Sequence, residues 1–137
     1  MPHPWILSLS GLVPFISYFV PALLLVACFG AVYSWLTPHN EFALIRSGNS
    51  SAAIAFGGSL IGFVLPLCTA IVHAVSLLDF LIWGLIALIV QLLTFFAVRL
   101  CVPGLPARIA ADQTAAAIFV ALSSIAVGLV NAACMTP

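Results

Sequence analysis

Few side chains in this sequence have acid–base, nucleophilic or metal-binding chemistry, and most of them lie in or beside loops. His39 and Glu41 are two residues apart and form a candidate acid–base pair, because imidazole and carboxylate groups exchange protons. Their place in a short polar loop favours the simpler interpretation of two solvated loop residues. The sequence contains no nucleophile motif, phosphate-binding loop or catalytic carboxylate pair, so we expect that the protein is not an enzyme.

The turn near residue 75 gathers a second set of candidate ligands. His73 and Asp79 flank this turn, and Cys68 and Cys134 are expected near the same membrane face. Their spacing is irregular and includes no CxxC pair, so we predict neither a metal site nor a cofactor. The cysteines are expected to be small apolar side chains, with a Cys68–Cys134 disulfide as the alternative.

The composition indicates that these residues belong to a membrane protein. Of 137 residues, 65% are hydrophobic and 4% are charged, and the mean hydropathy is +1.35. A water-soluble domain carries about 25% charged residues. Three arginines balance three acids and lysine is absent, which argues against a nucleic-acid partner and against a polybasic segment for anionic lipids.

Four charge-free stretches are long enough to cross a membrane as helices. A spanning helix needs about 20 apolar residues, because it rises about 1.5 Å per residue through a hydrocarbon core roughly 30 Å thick. We predict an all-α integral membrane protein, a single domain over residues 1–137, with the lipid bilayer as its surroundings. The stretches are Leu12–Leu36, Ser50–His73, Phe80–Val98 and Gln113 to the C-terminus.

Prolines predict irregularities in the first two spans. Proline removes a backbone donor and kinks a helix interior. The first regular turn is therefore expected near Pro21, after Pro14, and Pro66 is expected to bend the second span.

All three arginines lie in the first and third loops, and this sets the predicted orientation. Arg46 lies in the loop 37–49, and Arg99 and Arg108 lie in the loop 99–112. Cytoplasmic loops carry the excess of Lys and Arg. We therefore predict that both termini are periplasmic and that the following loop residues are cytoplasmic: His39, Glu41, Arg46, Arg108 and Asp112.

The chain contains an internal repeat with an offset of 63 residues. Residues 49–53 (NSSAA) resemble residues 112–116 (DQTAA), and Phe56 and Phe119 keep the same offset. Repeat 1 covers about residues 14–75 and repeat 2 about residues 78–137. An even number of spans per repeat predicts two parallel two-helix units, as in one class of transporter. Duplication with a packing role alone is the alternative.

A proline-marked break precedes each copied segment, at residues 37–38 and 103–106. After each break we predict a short cytoplasmic helix in the headgroup region. In the first helix, Phe42 and Ile45 are expected to face lipid. In the second, Leu105 and Ile109 form the apolar side and Arg108 points away.

Polar residues after these short helices predict where the next spans begin. Asn49 and Asp112 are the expected N-caps of the second and fourth spans, because Asn and Asp side chains accept hydrogen bonds from unpaired N–H groups of the first turn.

Small residues recur at four-residue spacing in the second and fourth spans. This spacing lets two helix backbones approach closely, either within one subunit or at a subunit interface or pore. The residues are Gly58, Gly62, Ser124, Gly128 and Ala132.

Gln91, Thr94 and Asn131 are polar side chains inside the spans. Intramembrane polar residues often line a pathway, but an uncharged amide also bridges helices. The sequence has no charge at mid-membrane, which argues against a carboxylate proton relay and against a voltage sensor.

Several strings resemble those of the YjfL-like bacterial inner-membrane proteins, a family described as domain of unknown function 350. The resemblance runs from about Phe19 to Thr136, and the Pro-rich start departs from it. It implies four spans, a bacterial cytoplasmic-membrane location and a role in the cell envelope, and it implies no reaction. The strings are residues 37–41 (TPHNE), 87–93 (ALIVQLL), 98–100 (VRL) and 131–136 (NAACMT).

Two functions fit these features. The first is a non-enzymatic envelope component that forms homo-oligomers or recruits a cytoplasmic protein partner. The alternative is a subunit of an oligomeric channel or transporter for ions or small solutes, with Gln91 and Asn131 in the path.

Overall fold

A computed structural model describes residues 1–38 and 40–136 of the chain, so the predictions for His39 fall outside the described residues. Within these two segments the chain forms seven α-helices. They are α1 (Pro4–Ser10), α2 (Leu12–Leu36), α3 (Glu41–Arg46), α4 (Ser50–His73), α5 (Leu77–Cys101), α6 (Leu105–Ala110) and α7 (Thr114–Cys134).

Four helical stretches are long and apolar enough to span a membrane: Pro4–Leu36, Ser50–His73, Leu77–Cys101 and Thr114–Cys134. The predicted all-α architecture with four candidate spans is confirmed. The third stretch is longer than predicted, because Ser76 caps its first turn and Asp79 and Arg99 lie inside the helix.

The first span is also longer than its prolines predicted. α1 and α2 run on either side of Gly11, and α2 continues through Pro21. The expected start near Pro21 is therefore wrong. Pro14 falls in the first turn of α2, where a helix needs no backbone donor. Pro66 lies inside α4, and the bend expected there stays a prediction.

α4 and α7 form the most extensive contact between elements. They run in the same direction, because both begin beside a short helix at one end of the bundle. A Cβ atom added to Gly58 would overlap Ala121, and one added to Gly62 would overlap the Ser124 backbone. Gly128 lies equally close to Gly62. The predicted small-residue faces thus pack within one subunit, and Ala132 is half-buried one turn farther on.

Aromatic rings fill the space between α2, α4 and α5. Phe29 stacks on Phe63 with ring centroids 5.1 Å apart. Tyr33 makes edge-to-face contacts with Phe56 at 5.4 Å and with Phe95 at 5.0 Å. These contacts attach the second half of α2 to α4 and α5. In the first half Tyr18 makes an edge contact with Phe80 of α5 at 5.9 Å, and Ala22 is the first buried residue of α2.

The two short helices, α3 and α6, end in the same kind of turn. Gly48 (φ 92°) and Asp112 (φ 59°) each occupy the left-handed region directly before the N-caps Asn49 and Gln113. In both turns the left-handed residue donates to the carbonyl three residues back, at 3.1 and 3.0 Å, and the N-cap donates to the carbonyl five residues back, at 2.9 Å. The turns correspond with an offset of 64 residues, one more than the sequence pattern indicated.

The inner faces of α3 and α6 differ from the prediction. Leu105 and Ile109 are buried in the protein core, and Ile45 is half-buried. Phe42 is exposed, as expected. The buried residue in the first turn of α3 is Glu41, the position that matches Leu105 with an offset of 64.

Candidate functional site

Several polar side chains are buried inside the bundle. Gln91 is the amide side chain among them and is 1% exposed. A polar group in this position needs a hydrogen-bond partner, since hydrocarbon offers none. The described residues of this kind are Thr37, Glu41, Ser51, Ser59, Gln91, Thr94 and Ser124.

Gln91 lies beside the backbone defect that Pro66 creates in α4. In an α-helix the carbonyl of residue 62 accepts from the N–H of residue 66, and proline has no N–H. The Gln91 Nε2 atom donates to the Gly62 carbonyl at 2.6 Å instead. The side chain on α5 therefore supplies the hydrogen bond that α4 lacks.

The same amide nitrogen also contacts α7. Gln91 Nε2 lies 3.3 Å from the Ser124 carbonyl of α7. We call the group of Gln91, Gly62 and Ser124 the Gln91 junction. It joins three spans at the point where α4 and α7 approach most closely, so Gln91 bridges helices.

Two other atoms of the predicted polar residues are buried without a hydrogen-bond partner among residues 1–38 and 40–136. They are Gln91 Oε1 and Asn131 Nδ2. Thr94 differs, because its hydroxyl donates to the Val90 carbonyl at 2.8 Å within α5. The structure does not bring Asn131 into the Gln91 junction.

Asn49 has the predicted capping role and a second contact. Its Oδ1 atom accepts from the Ala52 N–H at 2.9 Å, which caps α4. Its Nδ2 atom donates to the carbonyls of Ile109 and Ala110, at 3.3 and 3.1 Å. One side chain thus caps its own helix and holds the end of α6.

The prediction that Asp112 caps the fourth span is wrong. The N-cap of α7 is Gln113, which makes no side-chain capping bond, and Asp112 Oδ1 accepts from the Ser51 N–H at 3.0 Å. The left-handed backbone of Asp112 turns its carboxylate away from α7 and toward the start of α4. Each of these two polar residues therefore reaches from one half of the chain to the other.

Hydrogen bonding stabilises the charged form of Asp112. The Ser51 side chain and then the Ser51 backbone N–H lower the pKa of this carboxyl below its usual value. The residue is exposed at the end of the bundle that carries α3 and α6. We refer to this end as the loop end, and to the end with the α4–α5 turn as the turn end.

Glu41 is not the solvated loop residue that the sequence favoured. It is 2% exposed, and the Thr37 hydroxyl donates to its Oε1 atom. Tyr33 lies close enough to Glu41 and to Ser59 to interact with both. The reason is tertiary, because α3 folds against α4 with its first turn inward.

The remaining predicted residues lie at the surfaces of the two ends. Arg46 and Arg108 are exposed at the loop end. At the turn end, Cys68 and Cys134 are free thiols, so the disulfide alternative is wrong. No group of three His, Cys, Asp or Glu residues in the described part of the chain is arranged to hold a metal ion.

Sequence reasoning missed Tyr33, Thr37, Ser59 and the link between Gln91 and Pro66. A signal for that link was present, since Gly62 and Pro66 are four residues apart. A proline inside a span always frees such a carbonyl, and a neighbouring polar side chain is one of the groups that pair with it.

The chain is similar to named membrane proteins of two bacteria. It is 45% identical over 128 residues to the UPF0719 inner membrane protein YjfL of Escherichia coli (strain K12), covering 93% of this chain and 97% of that protein. The UPF0719 transmembrane protein YshE of Bacillus subtilis (strain 168) is 27% identical over 94 residues, covering 69% and 70% of the two chains. No solved structure matches the chain.

A family model also matches nearly the whole length. The model is the Domain of Unknown Function DUF350, and it matches residues 6–135. Together with the four apolar helices, these similarities identify a multi-pass inner-membrane protein. The chain belongs to the DUF350 family.

Proposed function

We propose that the protein is a non-enzymatic component of the bacterial envelope that works as an assembly of several copies. One observation carries this proposal: the N-terminal part of the first span, residues 4–21, buries no residue in its own chain, and its contact with the bundle is the edge-on packing of half-buried Tyr18 against Phe80. α1 buries no residue, and α2 buries none before Ala22.

The length of this span supports the same proposal. The stretch Pro4–Leu36 has 33 residues, which corresponds to about 50 Å of helix, whereas the bilayer with its headgroups is about 40–45 Å thick. An upright helix would carry apolar side chains such as Trp5 and Leu9 into water. Tilting against a neighbouring copy covers these side chains and buries the unpacked face.

The contact between α4 and α7 leaves no space for a solute to pass between these two helices. α4 and α7 are so close at Gly58 and Gly62 that even a methyl group does not fit. Gln91 of α5 packs against both helices at this contact, through the Gly62 and Ser124 carbonyls. These contacts favour an assembly function over conduction through a single copy.

The loop end is the surface that we assign to a cytoplasmic protein partner. Arg46, Arg99 and Arg108 are exposed there. Their excess in these loops supports a cytoplasmic loop end and periplasmic termini.

We also propose that the single domain consists of two parallel copies of one unit. The support is the shared turn, in which Gly48 corresponds to Asp112 and Asn49 to Gln113. The first and second helices of the copies are then α2 with α4 and α5 with α7, and α3 and α6 are the short interfacial helices.

The assembly proposal is tested by comparing two double variants that remove equal numbers of exposed rings. Phe15→Ala/Phe19→Ala changes the unpacked part of α2, whereas Phe96→Ala/Phe119→Ala changes other exposed positions. The mass of the protein in native-membrane nanodiscs is the readout. We expect multimers for the wild type and the control, and a shift to monomers for the first variant. A monomeric wild type would refute the proposal.

A channel subunit is the second candidate, favoured by the buried polar atoms Gln91 Oε1 and Asn131 Nδ2. Its path would run between copies and past Asn131. Ion flux into liposomes that contain the purified protein tests it. We expect Asn131→Leu to reduce flux if this candidate is correct, and unchanged flux would remove Asn131 from the path.

A further inference from the structure

A cavity of about 330 Å³ lies at the turn end, where α4, α5 and the end of α7 meet. Its size is within the range of small-molecule sites. Its walls differ from the rest of this apolar protein, because they combine a carboxylate, an indole, an imidazole, a thiol and a thioether. The residues are Asp79, Trp83, His73, Cys134 and Met135.

The Asp79 carboxylate is held in place by the α4–α5 turn. Its Oδ2 atom accepts from the Val75 N–H at 3.1 Å, and its own N–H donates to the Ser76 hydroxyl at 3.1 Å. Within the described residues no hydrogen bond uses the other oxygen, Oδ1. Asp79 is the acidic residue at the turn end, since Glu41 and Asp112 lie at the loop end.

Trp83 follows Asp79 by one helical turn on the same face of α5. Its indole is 43% exposed, and it lines the same cavity. An aromatic face beside a fixed carboxylate is the arrangement that attracts an ammonium group, by a cation–π interaction and by direct charge attraction. Met135 and Ala70 supply apolar walls for alkyl substituents.

We propose that this cavity binds an organic ammonium ion, with the cation between Asp79 and Trp83. A metal ion fits less well, because three donor residues are not grouped there in the part of the chain that the structure describes. The ammonium group has two sources, an ethanolamine or choline lipid headgroup or a free amine. The site does not depend on the assembly proposed above.

Trp83 provides a direct readout of binding. The chain has three tryptophans, and Trp5 and Trp35 are exposed. A Trp5→Phe/Trp35→Phe background therefore leaves Trp83 as the sole tryptophan. The protein is placed in nanodiscs of phosphatidylglycerol, which has no ammonium group, and is titrated with tetramethylammonium or ethanolamine at one pH, because His73 lines the same cavity.

We expect a saturable change in Trp83 emission that sodium chloride at equal ionic strength does not reproduce. Asp79→Asn keeps an acceptor for the Val75 N–H and removes the charge, so it should weaken binding about tenfold. Asp112→Asn at the loop end is the matched control and should leave binding unchanged. Circular dichroism verifies that both variants are folded.

Lipid composition distinguishes the two sources. If the ligand is a lipid headgroup, nanodiscs of phosphatidylethanolamine will shift Trp83 emission before any amine is added, and added ethanolamine will change it little. If the ligand is a free amine, the titration will be the same in both lipids. The proposal is overturned if neither amine gives a saturable response, or if Asp79→Asn responds like the parent.

Discussion

The amide of Gln91 replaces a backbone hydrogen bond that Pro66 removes. The Gly62 carbonyl has lost its donor within α4, and Gln91 Nε2 approaches it to 2.6 Å. An unpaired carbonyl in an apolar interior costs about 1–3 kcal/mol. The residue that looks like a candidate for transport in the sequence is thus explained by a defect one helix away.

A double-mutant cycle tests this explanation. We expect Gln91→Met to lower the free energy of unfolding by about 1–2 kcal/mol, because the Gly62 carbonyl loses its partner. In a Pro66→Ala background the same change should cost clearly less, since the introduced alanine restores the helical N–H. Unfolding in mixed micelles provides the four free energies. Equal costs in both backgrounds would show that Gln91 does not compensate for the proline.

Asp112 gives stability a pH dependence of known sign. Hydrogen bonds from Ser51 hold its folded pKa below the unfolded value of about 3.9. The unfolded state therefore binds the proton first, and the contribution is complete above about pH 4 and disappears as the pH falls through the folded pKa. Acid unfolding in neutral micelles measures it.

Asp112→Asn is the matched variant for this measurement, because Asn tolerates a positive φ and keeps an acceptor oxygen. We expect the wild type to lose more stability than the variant when the pH falls below about 4. Parallel curves would contradict the role of the carboxylate. The other acids are the same in both proteins and cancel in the comparison.

At the scale of elements, the α4–α7 pair forms the centre of the fold. Close approach of two parallel helices depends on residues without bulk at the crossing, and it brings backbone carbonyls within reach of Gln91. Gly58 and Gly62 face this contact, whereas Gly57 points into open space. Three glycines of one helix therefore allow a controlled comparison.

We expect Gly62→Ala to destabilise the protein by about 1–3 kcal/mol, because its methyl group would overlap the Ser124 backbone and push α7 away. Gly57→Ala should be neutral or slightly stabilising, because Ala favours a helix and nothing obstructs its methyl group. Thermal unfolding in the same detergent compares them. Similar losses for both variants would show that the close approach of Gly62 to Ser124 is not the cause of the destabilisation.

Local patterns predicted the elements well and their contacts less well. Apolar runs without charge place the spans, and Asn49 caps α4 as its position indicated. The burial of Glu41 was missed because it depends on how α3 folds against α4. Asp112 was assigned to the wrong helix because its backbone turns left-handed at that point. The first error concerns the packing of one helix on the next, and the second concerns a backbone angle. Hydrophobic periodicity contains neither.

At the scale of the whole molecule, the bundle differs in burial from its N-terminal extension, which is α1 and the part of α2 before Ala22. The core contains α3 to α7 and the second half of α2, with Tyr18 packed at its edge, and α1 contributes no buried residue. The extension is therefore available to a neighbouring copy without any rearrangement of the core.

Removal of residues 2–10 tests this difference. We expect the free energy of unfolding of the bundle to change by less than about 0.5 kcal/mol, as for surface changes, and the multimers to be weakened. Unfolding is measured in detergent and mass in nanodiscs. A large loss of stability in the monomer would contradict the view that α1 is dispensable for the core.

The α4–α7 contact also has a consequence for how the protein is made. α7 starts about 60 residues after α4 in the chain, and membrane insertion proceeds from the N-terminus. During synthesis, α4 therefore enters the bilayer with Gly58 and Gly62 against lipid and the Gly62 carbonyl without Gln91. Insertion of α5 brings Gln91 to that carbonyl, but the glycine face stays against lipid until α7 is complete, so we expect a chain interrupted before α7 to be degraded faster than the full-length protein.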